Sequence, residues 1–292
     1  MTSAVSAPAT CIACGTAPRQ SFRLSNGAWL RRCPRCGLGW WDWPPFDPAA
    51  FYDRAYFDGA EQSKGYDDYA ALEPGVARTA RQRLRRISRL HGPSRAAKRL
   101  LELGCGTGVF LDAARRAGWT VTGVEVSAYA AEQARQRGLA VETAPVEGLR
   151  PAEDAYDCVA LWDVLEHLRD PAGVLCAAAK ALRHGGVLAL STGDVTSLCA
   201  RIAGPRWHLF NLPEHLFFFS PAALQRLLTK AGCRVVRVTR ETNWVPVRYI
   251  AERLRKSTAL PGAWGALLKS DISRWVIPAT LLDVLGVYAV RR

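Results

Sequence analysis

Glu102, Gly104, Gly106 and Gly108 stand at alternate positions behind the apolar run Arg99-Leu100-Leu101-Glu102-Leu103 and ahead of a helical pattern. Residues of these types at this spacing suit a nucleotide-binding turn, although any doubly wound protein can carry glycines after its first strand. The glycines turn the chain tightly and let its backbone approach a ligand with no side chain in between. A strand, a glycine turn and a helix form a crevice at the carboxyl edge of a parallel sheet. A dinucleotide fingerprint needs a small residue at position 109, where Val109 stands, so the loop suits an adenosine ligand without a pyrophosphate better than NAD. Trp119 to Val124 reads as a second strand, closed by Glu125. An acid at that point is placed to hold ribose hydroxyls. An ionised Glu only accepts hydrogen bonds, which matches a cis-diol.

A second chemistry lies near the start of the chain. Cys11-Ile-Ala-Cys14 and Cys33-Pro-Arg-Cys36 are two C-x2-C knuckles eighteen residues apart, the spacing of a four-cysteine zinc site. Each knuckle offers two thiolates from one tight turn. Four thiolates fill the coordination sphere, so the zinc is expected to be structural. Two disulfides are the competing arrangement, disfavoured in a reducing compartment. Cys105, Cys158, Cys176, Cys199 and Cys233 are scattered among apolar residues and read as free thiols.

The elements that must position these groups follow from pattern. The glycine run opens a helix over Thr107–Ala117, and Ser127 caps another that stops at Gly138. Strands are expected over Leu139–Glu142, Tyr156–Trp162, Val187–Ser191, Cys233–Thr239 and Asp283–Val290. Asp170-Pro171 starts a helix expected to reach His184, and Ser220-Pro221 starts one that Gly232 ends. The fold class is therefore α/β: a doubly wound, Rossmann-like seven-stranded sheet with a small N-terminal zinc ribbon. The expected domains are a disordered tail 1–10, the ribbon 11–40, an aromatic and basic helical connector and cap 41–98, and a catalytic domain 99–292 with an insertion 241–282. Phe51, Tyr52, Tyr56, Phe57, Tyr66 and Tyr69 form an aromatic cluster for capping the pocket or for interdomain packing. The insertion mixes apolar and basic residues, suited to helices lining the substrate side or touching a membrane surface.

The stretch 99–127 resembles the cofactor motifs of class I S-adenosylmethionine (SAM)-dependent methyltransferases. The resemblance implies that Glu102, Gly104, Cys105, Gly106 and Gly108 surround the methionine end of SAM and that Glu125 takes the ribose. Leu161-Trp162-Asp163-Val164-Leu165-Glu166-His167 resembles the segment after the fourth strand of that superfamily, which makes Trp162 and Asp163 cofactor contacts. Ala144-Pro145-Val146-Glu147 stands at the adenine position, with Pro145 where an acid is usual, so the Val146 backbone is the remaining contact. Glu214-His215-Leu216-Phe217-Phe218-Phe219-Ser220 resembles the segment with a Glu-His pair in zinc-ribbon sugar C-methyltransferases. By that resemblance His215 is the base and Glu214 its supporting partner; the other reading is that both only order the loop. The long C-terminal extension of those sugar enzymes is absent here. His167 stays open between a structural and an active role, and none is expected for His91 or His184.

Lysine and arginine give the 292-residue chain a net charge of +13. Residues 78–99 hold nine of these basic side chains and no acid. The run reads as a solvated helix or, if functional, as a site for a phosphorylated acceptor. No run has the ~18 uncharged apolar residues of a membrane span. Met1 to Thr10 lacks the basic and apolar regions of a secretory signal, so a cytoplasmic location is expected. The reading is methyl transfer from SAM to an oxygen or carbon of a small-molecule, glycan or nucleotide-sugar acceptor, with peripheral membrane contact left open. One rival is an RNA methyltransferase using the basic surface and the ribbon; the stretch L-W-D-V lacks the N-P-P-Y-type tetrapeptide of base-amine methylation. The other is a SAM-binding scaffold without catalysis.

Overall fold

Leu100, Leu101 and Leu103 are buried on both faces of their strand, the signature of a parallel strand covered by helices on each side. The computed structural model of the protein describes residues 7–58, 69–91, 98–249, 251, 272 and 275–292. Residues 1–6, most of the insertion, and Tyr66 of the aromatic cluster lie outside the described residues.

The N-terminal segment forms β1 (Arg19–Arg23), β2 (Trp29–Arg32) and β3 (Gly39–Trp40), followed by α1 (Pro48–Phe51), α2 (Arg54–Asp58) and α3 (Tyr69–His91). The central sheet takes β4 (Arg99–Leu103), β5 (Thr120–Glu125), β6 (Val141–Thr143), β7 (Tyr156–Trp162), β8 (Leu182–Gly193), β10 (Cys233–Arg240) and β13 (Val284–Arg291). Its order is β10-β13-β8-β7-β4-β5-β6, with β13 antiparallel to both of its neighbours. The chain reverses direction across the sheet between β4 and β7, so the crevice opens above their carboxyl ends. Between strands run α4 (Val109–Arg116), α5 (Ala128–Gln136), α6 (Pro171–Ala181), α7 (Leu198–Ala203) and α8 (Pro221–Lys230). The side chains of Ser127, Asp170 and Ser220 accept from backbone N–H groups and cap α5, α6 and α8. The expected start signals therefore fall on the right residues.

Three differences from the sequence reading come from strand pairings distant in sequence. α6 ends at Ala181, not His184, because Leu182 turns extended and pairs with Tyr156; β8 thereby begins five residues early. The described ends of the insertion form strands, β11 (Asn243–Pro246) and β12 (Val276–Ala279), paired antiparallel beside α3. The N-terminal sheet gains a fourth strand, β9 (Phe217–Phe218), from the catalytic part of the chain. Among the described residues no helix is long and apolar enough to cross a membrane.

Candidate functional site

The glycine turn after β4 is held from below. Gly104 and Cys105 N–H groups donate to the Val124 carbonyl, and Gly106 N–H donates to Glu125 Oε2 at 2.8 Å. The other Glu125 oxygen accepts from Ser127 N–H at 2.9 Å. The carboxylate at the end of β5 thus fixes the loop while still lining the cavity. Burial raises the proton affinity of Glu125 and, well above the usual range, that of Glu102. A cavity of about 1030 Å³ opens above, and a smaller one of about 260 Å³ adjoins it. Gly104, Gly106, Trp162 and Asp163 line both; Glu125 and Val146 line the larger, Glu102 and Cys105 the smaller.

Gly108 lines neither cavity. Its φ is +80°, and a Cβ there would lie 2.4 Å from Leu139 Cδ1. It brings α4 close to α5 and the chain beyond it. Gly104 has φ +74° and Val164 stands 2.5 Å from where a Cβ would be, so no side chain fits beneath the crevice. The Cys105 thiol faces Gly123 in the core, which leaves its backbone as the group available to a ligand.

Sequence reasoning missed Arg83. It sits in the basic run on α3, yet is only 7% exposed. Its guanidinium donates to Glu241 Oε2 at 3.1 Å and to Ser191 Oγ at 3.1 Å. It lies 3.6 Å from Asp163 Oδ2 and 4.4 Å over the Trp162 ring, and it lines the smaller cavity with Glu102. Asp163 is held at φ +55°, with its carboxylate accepting from Ser191 Oγ at 2.8 Å. Left-handed backbone in a non-glycine residue is strain of the kind that gathers at functional sites.

The opposite wall carries the histidines. His215 is 8% exposed. Its Nδ1–H donates to the Leu209 carbonyl at 2.9 Å, because a carbonyl can only accept, and Nε2 keeps its lone pair. Burial first, then the neighbouring His167, hold its pKa well below the usual imidazole value, so the ring is neutral. The two rings stand edge to face at 4.6 Å. His167 Nδ1 lies 3.1 Å from the Glu214 carbonyl and 2.8 Å from the Tyr52 hydroxyl, and burial lowers its pKa to about 4. Glu214 therefore meets His167 through its backbone, and Leu209, not the Glu214 carboxylate, orients His215. Phe51, Tyr52, Tyr56 and Phe57 line the larger cavity.

Glu166 was also missed. It is buried, burial pushes its pKa up to about 8, and its Oε2 has no hydrogen-bond partner. Glu166, His167 and His215 each bring a ligand-type atom within 4.8 Å of the others. Cys11, Cys14, Cys33 and Cys36 meet the same measure. Their sulfurs are 3.4 Å apart for Cys11–Cys36 and Cys14–Cys33, and 3.9 Å for Cys14–Cys36. Tetrahedral zinc thiolate sites have edges of about 3.8 Å. Cys199, His208 and Asp283 form another such group, but the Asp283 carboxylate already accepts from Trp207 Nε1 at 2.8 Å.

A strand order with one antiparallel seventh strand, a glycine turn and an acid ending the next strand define a class I SAM-dependent methyltransferase. A family profile described as "Methyltransferase domain" matches residues 76–238, more than half of the chain, and the chain belongs to that family. The matched range excludes the four-cysteine segment. Among curated relatives, the ubiquinone biosynthesis O-methyltransferase of Thiobacillus denitrificans is 31% identical over 159 residues, 49% of this chain and 68% of that protein. The protein of the same name from Hydrogenovibrio crunogenus is 37% identical over 148 residues, 46% and 61% respectively. The match thus spans about two-thirds of these relatives' lengths. Magnesium protoporphyrin IX methyltransferase from Synechocystis PCC 6803, solved with bound SAH, shares the fold at TM-score 0.54 and 16% identity, over 84% of this chain and 98% of that one. A SAM-dependent methyltransferase from Thermotoga maritima does so at 0.50 and 20%, over 75% and 91%.

Proposed function

We propose that the chain transfers the methyl group of SAM to an oxygen or carbon of an uncharged small molecule or glycan, with His215 as base. One observation carries this reading: a buried, neutral imidazole with Nε2 free lines the same cavity as the glycine turn. Bound SAM supplies an electrophilic methyl on a sulfonium. Gly104, Cys105 and Gly106, with Glu102, Arg83, Asp163 and Trp162 around them, surround its methionine end; Glu125 takes the ribose and the Val146 backbone meets adenine. His215 Nε2 removes the acceptor's proton, and Tyr52 and His167 hold the acceptor beside it. Positioning supplies much of the rate. The named activity of the relatives, O-methylation, favours oxygen over carbon.

The cavity charge bears on the acceptor. Glu125, Glu147, Asp163 and Glu214 line it beside the protonated Glu166, and no lysine or arginine does among the described residues. Such a wall repels phosphate, which favours a neutral acceptor over a nucleotide sugar or RNA. The basic run does not supply the missing charge, since Arg83 and Arg86 turn inward onto Glu241. We further propose that Cys11, Cys14, Cys33 and Cys36 hold a structural zinc, and that the chain divides into ribbon 11–40, connector 41–98 and methyltransferase domain 99–292.

A second reading rests on the unpartnered Glu166 oxygen. A divalent cation held by Glu166, His167 and His215 would take that oxygen and bind acceptor oxygens, leaving His215 a ligand in place of a base. His215→Ala is expected to lower kcat about 10²–10⁴-fold, the usual worth of a general base, with SAM binding by calorimetry unchanged. Full activity in that variant rejects both roles for His215. Loss of turnover on brief EDTA treatment, restored by magnesium or manganese, selects the cation reading.

A further inference from the structure

The chain from Cys36 to Trp43 is built into the wall that carries His215. β3 pairs with β9, which begins two residues after His215. Ser220 Oγ donates to the Cys36 carbonyl, and Trp43 stands edge-on to Phe217 at 5.2 Å. Most directly, the Trp41 indole N–H donates to the His215 backbone carbonyl at 2.8 Å, and Trp41 is 2% exposed. The peptide on the other side is fixed as well, since His215 N–H donates to the Asn211 carbonyl at 2.8 Å. Buried carbonyls need donors, and the donor here comes from the connector directly after the four-cysteine ribbon, 174 residues away in sequence.

We propose that Trp41, the first residue of the connector, is a positioning residue for His215, and that the four-cysteine ribbon, which holds the same wall through β3 and the Cys36 carbonyl, supports the active site and is not a separate docking domain. The inference rests on His215 acting in the reaction, as base or as ligand. With the carbonyl of His215 pinned by Trp41 and Nδ1 pinned by Leu209, Nε2 has one direction left, into the cavity. Without the indole N–H the peptide plane rotates and the imidazole is misaimed, although the SAM pocket around β4 and β5 stays intact. Trp43 is the internal control. It lies in the same segment, packs on the same strand, and its Nε1 has no hydrogen-bond partner.

The test compares Trp41→Phe with Trp43→Phe in the full chain. Trp41→Phe is expected to lower kcat about tenfold or more, since misplacement by about 1 Å can cost 10²-fold, and to displace the acid limb of its pH profile. The SAM dissociation constant from calorimetry stays unchanged. Trp43→Phe keeps wild-type kcat. Equal kcat in the two variants, or a parallel loss of SAM binding in Trp41→Phe, overturns the proposal. Should Trp41→Phe fail to fold, 3-benzothienylalanine in place of Trp41 keeps the indole shape without the N–H and gives the same readouts. His215→Ala separates the two claims. If it is inactive while Trp41→Phe matches Trp43→Phe, the positioning role fails and the role of His215 stands. If it is fully active, both fall.

Discussion

Glu166 is a carboxyl whose environment works against its ionisation. A carboxyl without a partner for Oε2, beside two neutral imidazoles, stays protonated in the folded chain up to about pH 8. In the unfolded chain it ionises near 4.5. A raised folded pKa means that its contribution is complete below 4.5 and is lost as pH climbs through about 8. Metal-free Glu166→Gln, neutral at every pH, should therefore melt with the wild type at pH 4.5 and above it at pH 9. Each kcal/mol recovered is worth about 2–4 °C in Tm. An equal Tm at both pH values would show that Glu166 is ionised in the fold. His167 and His215 act in the opposite sense. Their folded pKa values are lowered, so the stability they leave intact above 6.5 is lost as pH falls toward 4.

At the scale of elements, the glycine turn divides into two jobs. Gly104 and Gly106 open the crevice, whereas Gly108 sets how closely α4 approaches the chain after α5. Gly108→Ala meets both a left-handed backbone and Leu139. It should cost at least the ~1–2 kcal/mol of forcing an L-residue into that region and should leave SAM affinity of the folded protein unchanged. Gly104→Ala pushes Val164 into the floor of the pocket and should lower both stability and SAM affinity. Calorimetry at a temperature where both variants are folded separates them; equal SAM affinity would remove Gly104 from the binding site. The cap residues Ser127, Asp170 and Ser220 were readable because capping is local chemistry, settled within three residues of the cap. The end of α6 was not, because the pull on Leu182 comes from Tyr156, twenty-six positions back.

At the scale of the whole molecule, the ribbon and the catalytic sheet share one hydrophobic core. Cys11, Leu30, Leu38, Trp40 and Trp41 are buried in the same cluster as Leu161, Leu190 and Phe217. Extraction of the proposed zinc by a strong chelator is thus expected to lower the Tm of the entire chain in one transition and to abolish turnover. A separate early transition, with the methyltransferase part still melting at its original temperature and active, would mean that the ribbon is independent. Among the described residues the wall of the larger cavity carries acids and no lysine or arginine, and the basic helix spends Arg83 and Arg86 on Glu241.

What the sequence determined by itself was everything carried by spacing over a few residues. The alternate glycines behind Glu102, the acid at 125, the paired knuckles at Cys11–Cys14 and Cys33–Cys36, and the apolar strand runs are local patterns with local causes. They were enough for the fold class and for the crevice. Only the tertiary structure decided which distant groups meet there. Tyr52 reaches His167 across 115 positions, Arg83 reaches Glu241 across 158, and Trp41 reaches His215 across 174. Each of these is a polar group whose partner is chosen by burial, and burial is settled by the packing of the whole chain, so no pattern near either residue announces it.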